Sequence, residues 1–291
     1  MNKSYLFSKP KNKELELFIN HALQEDIGSG DHTTLSTIPA SATNKASLIM
    51  KEDGIVAGIE LAKKIFYSVD KKLKMETFKQ DGVWAKKGEI LFTIKGKARS
   101  ILTAERVVLN CMQRMSGIAT LTNKFVAQAK TSKTKILDTR KTTPGMRAIE
   151  KWAVRIGGGY NHRFGLFDMI LIKNNHIDFA GGIQSAIHSA HKYLKQKKLK
   201  LQIEIEARNI QEIKEILKTG GVDRILLDNF SIPEIQNALL LINEEYETEI
   251  SGGITLENVN KYATCGANYI SAGALTHSAK SIDMSLTANI T

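Results

Sequence analysis

The 291-residue chain has few cysteines and no long apolar segments. It contains two cysteines, Cys111 and Cys265, so neither a disulfide framework nor a paired-cysteine metal site is available. No apolar run approaches the roughly 18 residues that a membrane helix needs. The first residues contain no apolar segment of signal-peptide length. We therefore expect a soluble, cytoplasmic protein without a membrane partner.

Acidic residues are also in deficit, since 30 Asp and Glu face 41 Lys and Arg and give a formal net charge of +11. Such a balance suits nucleic acids, membrane surfaces or acidic small molecules. Much of the excess lies in lysine runs, such as residues 71–74 and 195–200, that lack interleaved aromatic side chains for base stacking. We expect no nucleic-acid partner, and a basic nucleic-acid-binding module is the non-enzymatic alternative.

Two patterns of hydrophobicity divide the chain. Residues 46–101 contain short strand-like runs and turns around one helical segment, which predicts an α+β sandwich. A long amphipathic helix follows from residue 101, and Glu105 and Arg106 lie beside its apolar stripe as an exposed pair.

After Thr134, six strand-like runs alternate with helical patterns, which predicts a parallel sheet covered by helices. Ser231 and Glu234 form a capping box before one of these helices. Because the units are short and numerous, we predict an α/β fold with an incomplete, open barrel. The predicted domains are an N-terminal sandwich over 1–115 and a partial barrel over 116–291, whose C-terminal tail can pack back on the sandwich.

Cations follow the ends of two predicted strands and one glycine loop. Arg140 and Lys141 come after KILD, residues 161–163 (Asn-His-Arg) follow a triple glycine, and Lys173 ends DMILIK. Because the carboxyl ends of parallel strands meet at one edge, these cations can form a pocket for a small polyanion. The alternative is a set of solvated surface cations.

Acids and glycine turns end the remaining strands. Glu204 and Glu206 end one strand, Asp228 ends the next, and the turns 251–253 (Ser-Gly-Gly) and 271–273 (Ser-Ala-Gly) follow the last two. Paired glycine turns on the last strands of a barrel commonly bind phosphate. One or two carboxylates suit Mg²⁺ on a polyphosphate; the alternative is structural carboxylates paired with Arg or Lys. The pattern indicates a phosphorylated sugar diphosphate facing a polycarboxylate.

The sequence resembles the quinolinate phosphoribosyltransferase family, the carboxylating nicotinate-nucleotide pyrophosphorylases, over nearly its whole length. The segments that carry the resemblance are EDIGSGD (25–31), TAER (103–106), QRMSGIATLT (113–122), DTRKTTPG (138–145), GGGYNHR (157–163), LLDN (226–229), SGGI (251–254) and GALTHS (273–278).

The resemblance implies an enzyme of NAD biosynthesis, assembled as homodimers or homohexamers with a shared active site. It would transfer phosphoribosyl from 5-phosphoribosyl 1-diphosphate to quinolinate, releasing diphosphate and CO₂ and giving nicotinate mononucleotide. The alternative is a phosphoribosyltransferase of the same fold acting on another ring acid, including a molybdenum-locus relative.

The resemblance also implies a role for each matching residue. Lys141, Glu204 and Asp228 would be catalytic, and Glu204 and Asp228 would face Mg²⁺, mostly through substrate and water. The quinolinate site would comprise Arg140, His162, Arg163, Lys173 and, from a neighbouring subunit, Arg106. The phosphoribosyl site would comprise Lys141, Glu204, Asp228, Ser251, Gly252, Gly253, Ser271, Gly273 and His277.

Two positions depart from the family pattern. Asn174 stands where the family often has an acid. A longer turn after Glu206 leaves two candidates for the ribose-facing carboxylate, and spacing within IEIE favours Glu204.

Overall fold

The computed structural model describes residues 10–130 and 132–288. They form two compact units. The barrel unit contains described residues 124–130, 132–141 and 159–274, and the sandwich unit contains 10–123, 142–158 and 275–288. The second unit is thus discontinuous in sequence, and the boundary at 115/116 stays a prediction.

The sandwich unit is built on an antiparallel sheet with strand order β12-β1-β5-β3, beside a two-stranded β2-β4 ladder. Its strands are β1 (Thr43–Met50), β2 (Gly54–Ile55), β3 (Lys74–Thr77), β4 (Trp84–Ala85), β5 (Ile90–Lys97) and β12 (Met284–Ala288). Its helices are α1 (Asn12–Ile27), α2 (His32–Thr37), α3 (Ile59–Val69), most of α4 (Ala98–Gln128) and α5 (Arg147–Ile156).

Helix α3, the helical segment predicted within residues 46–101, buries one apolar face in the sandwich unit. Leu61, Ile65 and Phe66 share one face and are fully buried. The Phe66 ring meets the Phe92 ring of β5 edge-on, with centroids 6.0 Å apart. The C-terminal strand β12 pairs with β1, from Ala46 opposite Ala288 to Met50 opposite Met284.

The barrel unit contains a six-stranded parallel sheet with order β6-β11-β10-β9-β8-β7, open between its edge strands β6 and β7. Its strands are β6 (Lys135–Leu137), β7 (Ile170–Ile172), β8 (Ile203–Ala207), β9 (Arg224–Asp228), β10 (Glu247–Ser251) and β11 (Tyr269–Ser271). The helices are α6 (Asn174–Ala180), α7 (Ile183–Lys197), α8 (Ile210–Thr219), α9 (Ile232–Ile242), α10 (Val259–Ala263) and α11 (Ala274–His277), the last of which crosses into the sandwich unit.

All six predicted strands are present, and the predicted incomplete α/β barrel is confirmed. Alternate residues of each strand point to opposite faces. On β9, Ile225 and Leu227 are fully buried on the helix side, while Arg224 and Asp228 lie on the inner face. The pairing of Ser251 with Asp228 brings the ends of β10 and β9 to one edge. No helix of the described residues has the length and apolar character needed to cross a membrane.

Candidate functional site

The turn after β10 lies directly against the end of β9. The Asn229 N–H donates to the Ser251 carbonyl at 2.8 Å. Gly252 has φ +100°, and a Cβ there would lie 2.2 Å from Asn229 Oδ1. Only glycine fits both the backbone conformation and this approach. The predicted Ser-Gly-Gly turn therefore presents bare backbone beside Asp228.

Asp228 is the carboxylate at this edge that is open to a ligand. It is partly exposed at the C-terminal end of β9. Among the residues that the structure describes, its side chain forms neither a hydrogen bond nor an ion pair. Its oxygens are hard donors of the kind that Mg²⁺ prefers.

Glu206 is held at the same edge by the residues that follow β7. Its Oε1 lies 2.8 Å from Lys173 Nζ, and its Oε2 accepts the Asn174 N–H at 3.2 Å. The Asn174 Oδ1 atom is buried and has no hydrogen-bond partner in the described parts of the chain. An acid at position 174 would put a second negative charge close to Glu206.

The preference for Glu204 over Glu206 as the ribose-facing group is corrected by the burial of Glu204. Glu204 has no exposed surface, and its Oε2 lies 3.0 Å from His162 Nε2. It belongs to the inner layer below the strand ends. Glu206, two residues further along β8, reaches the edge where Lys173 lies.

Asp138, which the predicted site omits, fixes the loops that bear the arginines. Its backbone N–H donates to the Tyr160 carbonyl at 3.0 Å. Its carboxylate accepts the His162 N–H at 2.9 Å and the Asn161 side-chain amide at 2.5 Å. The sequence does contain a signal for this role, because Asp138 is the acid that ends the apolar run KILD, two residues before Arg140.

Arg140 and Arg163 lie close enough for their charges to repel, and we call this pair the arginine pocket. Arg163 is 9% exposed, and burial, followed by the charge of Arg140, lowers the pKa of Arg163. The Arg140 Nε–H is buried without a hydrogen-bond partner in residues 10–130 and 132–288. Repulsion between two cations and a buried donor without an acceptor both favour an anionic ligand.

Both ring nitrogens of His162 have protein partners, and its predicted contact with a carboxylate of quinolinate stays a prediction. Its Nδ1 accepts the Arg163 backbone N–H at 2.7 Å, and its Nε2 faces Glu204 at 3.0 Å and Glu249 at 3.5 Å. Burial acts to lower the pKa of His162, but the charges of Glu249 and Glu204 outweigh burial and raise it. The Nδ1 contact with the Arg163 N–H holds only while the ring is neutral, with its proton on Nε2. His162 supports the pocket from below.

The remaining predicted residues fall into three groups. The exposed Lys141 follows β6 in the barrel unit, and its backbone N–H donates to Thr139 Oγ1 at 3.0 Å. Ser271 is 4% exposed and hydrogen-bonds to Glu249, which makes it part of the inner layer. Arg106 and His277 belong to the sandwich unit, and their ligand contacts stay predictions.

The two glycine turns differ in how a helix follows them. Helix α11 begins at Ala274, directly after Gly273. Helix α10 begins only at Val259, six residues beyond Gly253. The first turn therefore offers its own backbone amides, and no helix begins directly after it.

A cavity of about 1310 Å³ lies at the opposite end of the barrel. Its lining includes Lys135, Asp223, Glu247 and Tyr269, at or before the starts of their strands. None of the predicted site residues lines it. The convergence of charged groups, and not cavity size, identifies the C-terminal edge as the candidate active site.

Comparison with known proteins covers both units. Residues 31–116 match the model of the quinolinate phosphoribosyl transferase N-terminal domain, and residues 118–287 match that of its C-terminal domain.

Individual relatives agree with these matches. The chain is 49% identical to an Arabidopsis thaliana chloroplastic nicotinate-nucleotide pyrophosphorylase (carboxylating), over 94% of this chain and 82% of the relative. It is 42% identical to a probable enzyme of the same name from Bacillus subtilis, over 94% and 93%. The solved nicotinate-nucleotide pyrophosphorylase of Francisella tularensis is 37% identical, with TM-score 0.90 over 99% of this chain and 100% of that one.

Proposed function

The chain belongs to the quinolinate phosphoribosyltransferase family, and from that premise we infer how its barrel performs the family's reaction. The enzyme transfers phosphoribosyl from 5-phosphoribosyl 1-diphosphate to quinolinate, a step of NAD biosynthesis. The products are nicotinate mononucleotide, CO₂ and diphosphate. The observation that carries the inference is the pair of neighbouring cations Arg140 and Arg163, which follow strand ends at the edge that also bears Asp228 and the Gly252 turn.

The arginine pocket is proposed to hold the two carboxylates of quinolinate. Arg140 offers a buried donor without an acceptor, and Arg163 offers a guanidinium held among protein groups. Lys173, whose side chain is 49% exposed, can turn from Glu206 to the substrate. Arg guanidinium groups match carboxylates through paired hydrogen bonds, which orient the ring.

The neighbouring strand ends are proposed to hold the phosphoribosyl group. The backbone amides of the Ser251–Gly253 turn can surround the 5-phosphate, and Asp228 can accept hydrogen bonds from the ribose hydroxyls. Lys141 lies four residues beyond the end of β6, where its charge can favour departure of the diphosphate.

Asp228 and Glu206, which end neighbouring strands, fit Mg²⁺ bound to the diphosphate, since their oxygens are hard donors and the ion needs only one or two of them. When bound, Mg²⁺ would neutralise negative charge on the leaving group. Glu204 is withdrawn from this role because of its burial.

The reaction needs positioning and charge stabilisation from this chain. As the bond from C1 of the ribose to the diphosphate breaks, positive charge develops on the sugar, which a nearby carboxylate stabilises. The pyridine nitrogen then bonds to C1 and becomes positively charged. When the adjacent C2 carboxylate leaves as CO₂, its bonding electron pair stays on C2 beside the cationic nitrogen, and C2 takes up a proton. The cations must release one carboxylate while holding the other.

Arg106 is proposed to complete the site from a second subunit of a homodimer or larger homo-oligomer. It is exposed, and its side chain forms no hydrogen bond or ion pair with the described residues. We also propose a cytoplasmic location for this chain. The similar plant enzymes, by contrast, carry chloroplastic or mitochondrial names.

A direct assay tests the assignment. Purified protein with Mg²⁺ and 5-phosphoribosyl 1-diphosphate is given quinolinate labelled at the C2 carboxylate, and released CO₂ and nicotinate mononucleotide are measured. We expect equal amounts of both products and no turnover of nicotinate, which has one carboxylate. Turnover of nicotinate or another ring acid, without CO₂ from quinolinate, would contradict the assignment.

Arg140→Met provides the matching site variant. We expect its KM for quinolinate to rise on the order of ten- to a hundred-fold, because a hydrogen bond to a charged group contributes ~1.5–3 kcal/mol. Arg208→Met is the control, since Arg208 forms exposed ion pairs with Asp178 and Glu212. Equal kinetics for the two variants would exclude Arg140 from the quinolinate site.

A further inference from the structure

The interior of the barrel below the candidate site is charged, although barrel interiors are usually filled by branched apolar side chains. Arg224 has no exposed surface and stacks on Tyr269, with Cζ 3.8 Å from the ring centre. It donates to Glu249 at 2.9 Å and to Glu247 at 3.0 Å. Buried charges are costly even when paired, so their presence points to a role beyond stability.

This charged layer continues upward to the arginine pocket. Glu249 and Glu204 both face His162 Nε2. On the other side of the ring, Nδ1 accepts the Arg163 backbone N–H. Because Nδ1 is an acceptor, a proton on Nε2 is needed for contact with the carboxylates. The carboxylates therefore set the tautomer that can hold Arg163.

The same side chains do not form a convincing metal site. Ligand atoms of His162, Glu204 and Glu249 lie within 4.8 Å of one another. However, the Arg224 guanidinium already occupies one side of Glu249 at 2.9 Å. A metal ion would add positive charge where a buried cation is already paired.

We propose that Arg224 and Glu249 are positioning residues for quinolinate: they orient His162, which in turn fixes the backbone of Arg163 and the direction of its guanidinium. This inference rests on the proposed function and extends it to residues outside the substrate contacts. Glu204 supplies the second acceptor, and Asp138 holds the His162 backbone N–H. Glu249 also accepts a hydrogen bond from Ser271, whose side chain is buried in the inner layer below the phosphoribosyl half of the site.

The test uses the double variant Arg224→Met/Glu249→Leu in the full-length protein. Apolar residues of similar volume can replace a buried ion pair without loss of stability, so thermal unfolding is measured first. We expect a rise of about ten- to a hundred-fold in KM for quinolinate, because misplaced binding groups cost roughly that much. The KM for 5-phosphoribosyl 1-diphosphate should stay within about two-fold of wild type.

Two further variants give the comparison. Glu249→Gln keeps the length of the side chain and one acceptor oxygen for Arg224 and His162, so its KM for quinolinate should stay near the wild-type value. Arg208→Met removes an arginine from two exposed ion pairs and should change neither KM. Unchanged KM for quinolinate in the double variant, or an equal rise in both KM values, would overturn the proposal.

If the double variant fails to fold, two His162 variants test whether the acceptor at Nδ1 positions Arg163. Asn can place an acceptor where Nδ1 lies, whereas Gln extends to the place of Nε2. We expect His162→Asn to keep the lower KM for quinolinate, and equal values for Asn and Gln would overturn the proposal. If wild-type protein itself leaves quinolinate unchanged, the proposed function fails before the positioning proposal is reached.

Discussion

Tyr269 shows how one residue takes its properties from the charged barrel interior. Its hydroxyl donates to Glu247 Oε1 at 3.1 Å, and its ring lies against the Arg224 guanidinium. Burial, which outweighs the opposing charge of Arg224, raises the pKa of Tyr269 to about 12. The folded protein therefore keeps this phenol neutral at a pH where an exposed tyrosine ionises, at about 10.

The sign of this shift predicts an alkaline loss of stability. Because the pKa is raised in the folded state, the stabilisation is fully present below about pH 10 and is lost as pH rises towards 12. Urea unfolding of wild type and Tyr269→Phe should show a difference in unfolding free energy that shrinks across this range. Tyr193→Phe, at an exposed position, is the control. Parallel pH profiles for wild type and Tyr269→Phe would contradict the prediction.

At the scale of elements, α9 follows its sequence signals closely. Ser231 precedes the helix, and Pro233 lies in its first turn. Glu234 accepts hydrogen bonds from the Ser231 N–H at 2.8 Å and hydroxyl at 2.6 Å. The predicted capping box is therefore confirmed for the hydrogen bond in which the Glu234 carboxylate accepts the Ser231 N–H. Such signals are local, which is why the start of α9 could be predicted without the tertiary structure.

We expect Ser231→Ala to lower the free energy of unfolding by about 1 kcal/mol, the usual effect of losing an N-cap side chain. Ser189→Ala, an exposed position inside α7, should be neutral or slightly stabilising, because alanine favours helix interiors. Urea denaturation measures both. A loss of similar size at both positions would show that capping is not the cause.

At the scale of the whole molecule, the proposal that Arg106 completes the site of a second subunit makes a prediction about the oligomer. Lys141 belongs to the barrel unit and Arg106 to the sandwich unit. If Arg106 acts in the site of a partner subunit, a dimer contains two sites that each combine residues of both chains.

Mixing inactive variants tests this sharing. Arg106→Ala and Lys141→Ala should each lose activity. After subunit exchange, a dimer with one chain of each kind regains one intact site, so random mixing should restore about a quarter of wild-type activity. Tagged copies verify exchange, and Arg106→Ala mixed with itself is the control. Verified exchange without recovery would place Arg106 in its own subunit's site.

The sequence by itself determined the six parallel strands, the long helix α4 and the edge at which functional groups meet. These features follow from apolar periodicity and from the rule that parallel strands end together. Within three of these strands the polar residues are separated by even numbers of positions, which places them on one face of the sheet. They are Glu204 and Glu206, Arg224 and Asp228, and Glu247, Glu249 and Ser251.

Only the tertiary structure decided which of those charges reach the site. Depth along the barrel depends on register and on contacts between distant segments, which no local pattern contains. It buried Glu204 and Glu249 around His162, brought Glu206 to Lys173, and placed the ring nitrogens of His162 against the Arg163 backbone and the two buried carboxylates. It also joined Asp138 to the glycine loop across 24 residues. The sequence shows which charged or polar group each position carries, whereas packing determines the layer of the barrel in which that group lies.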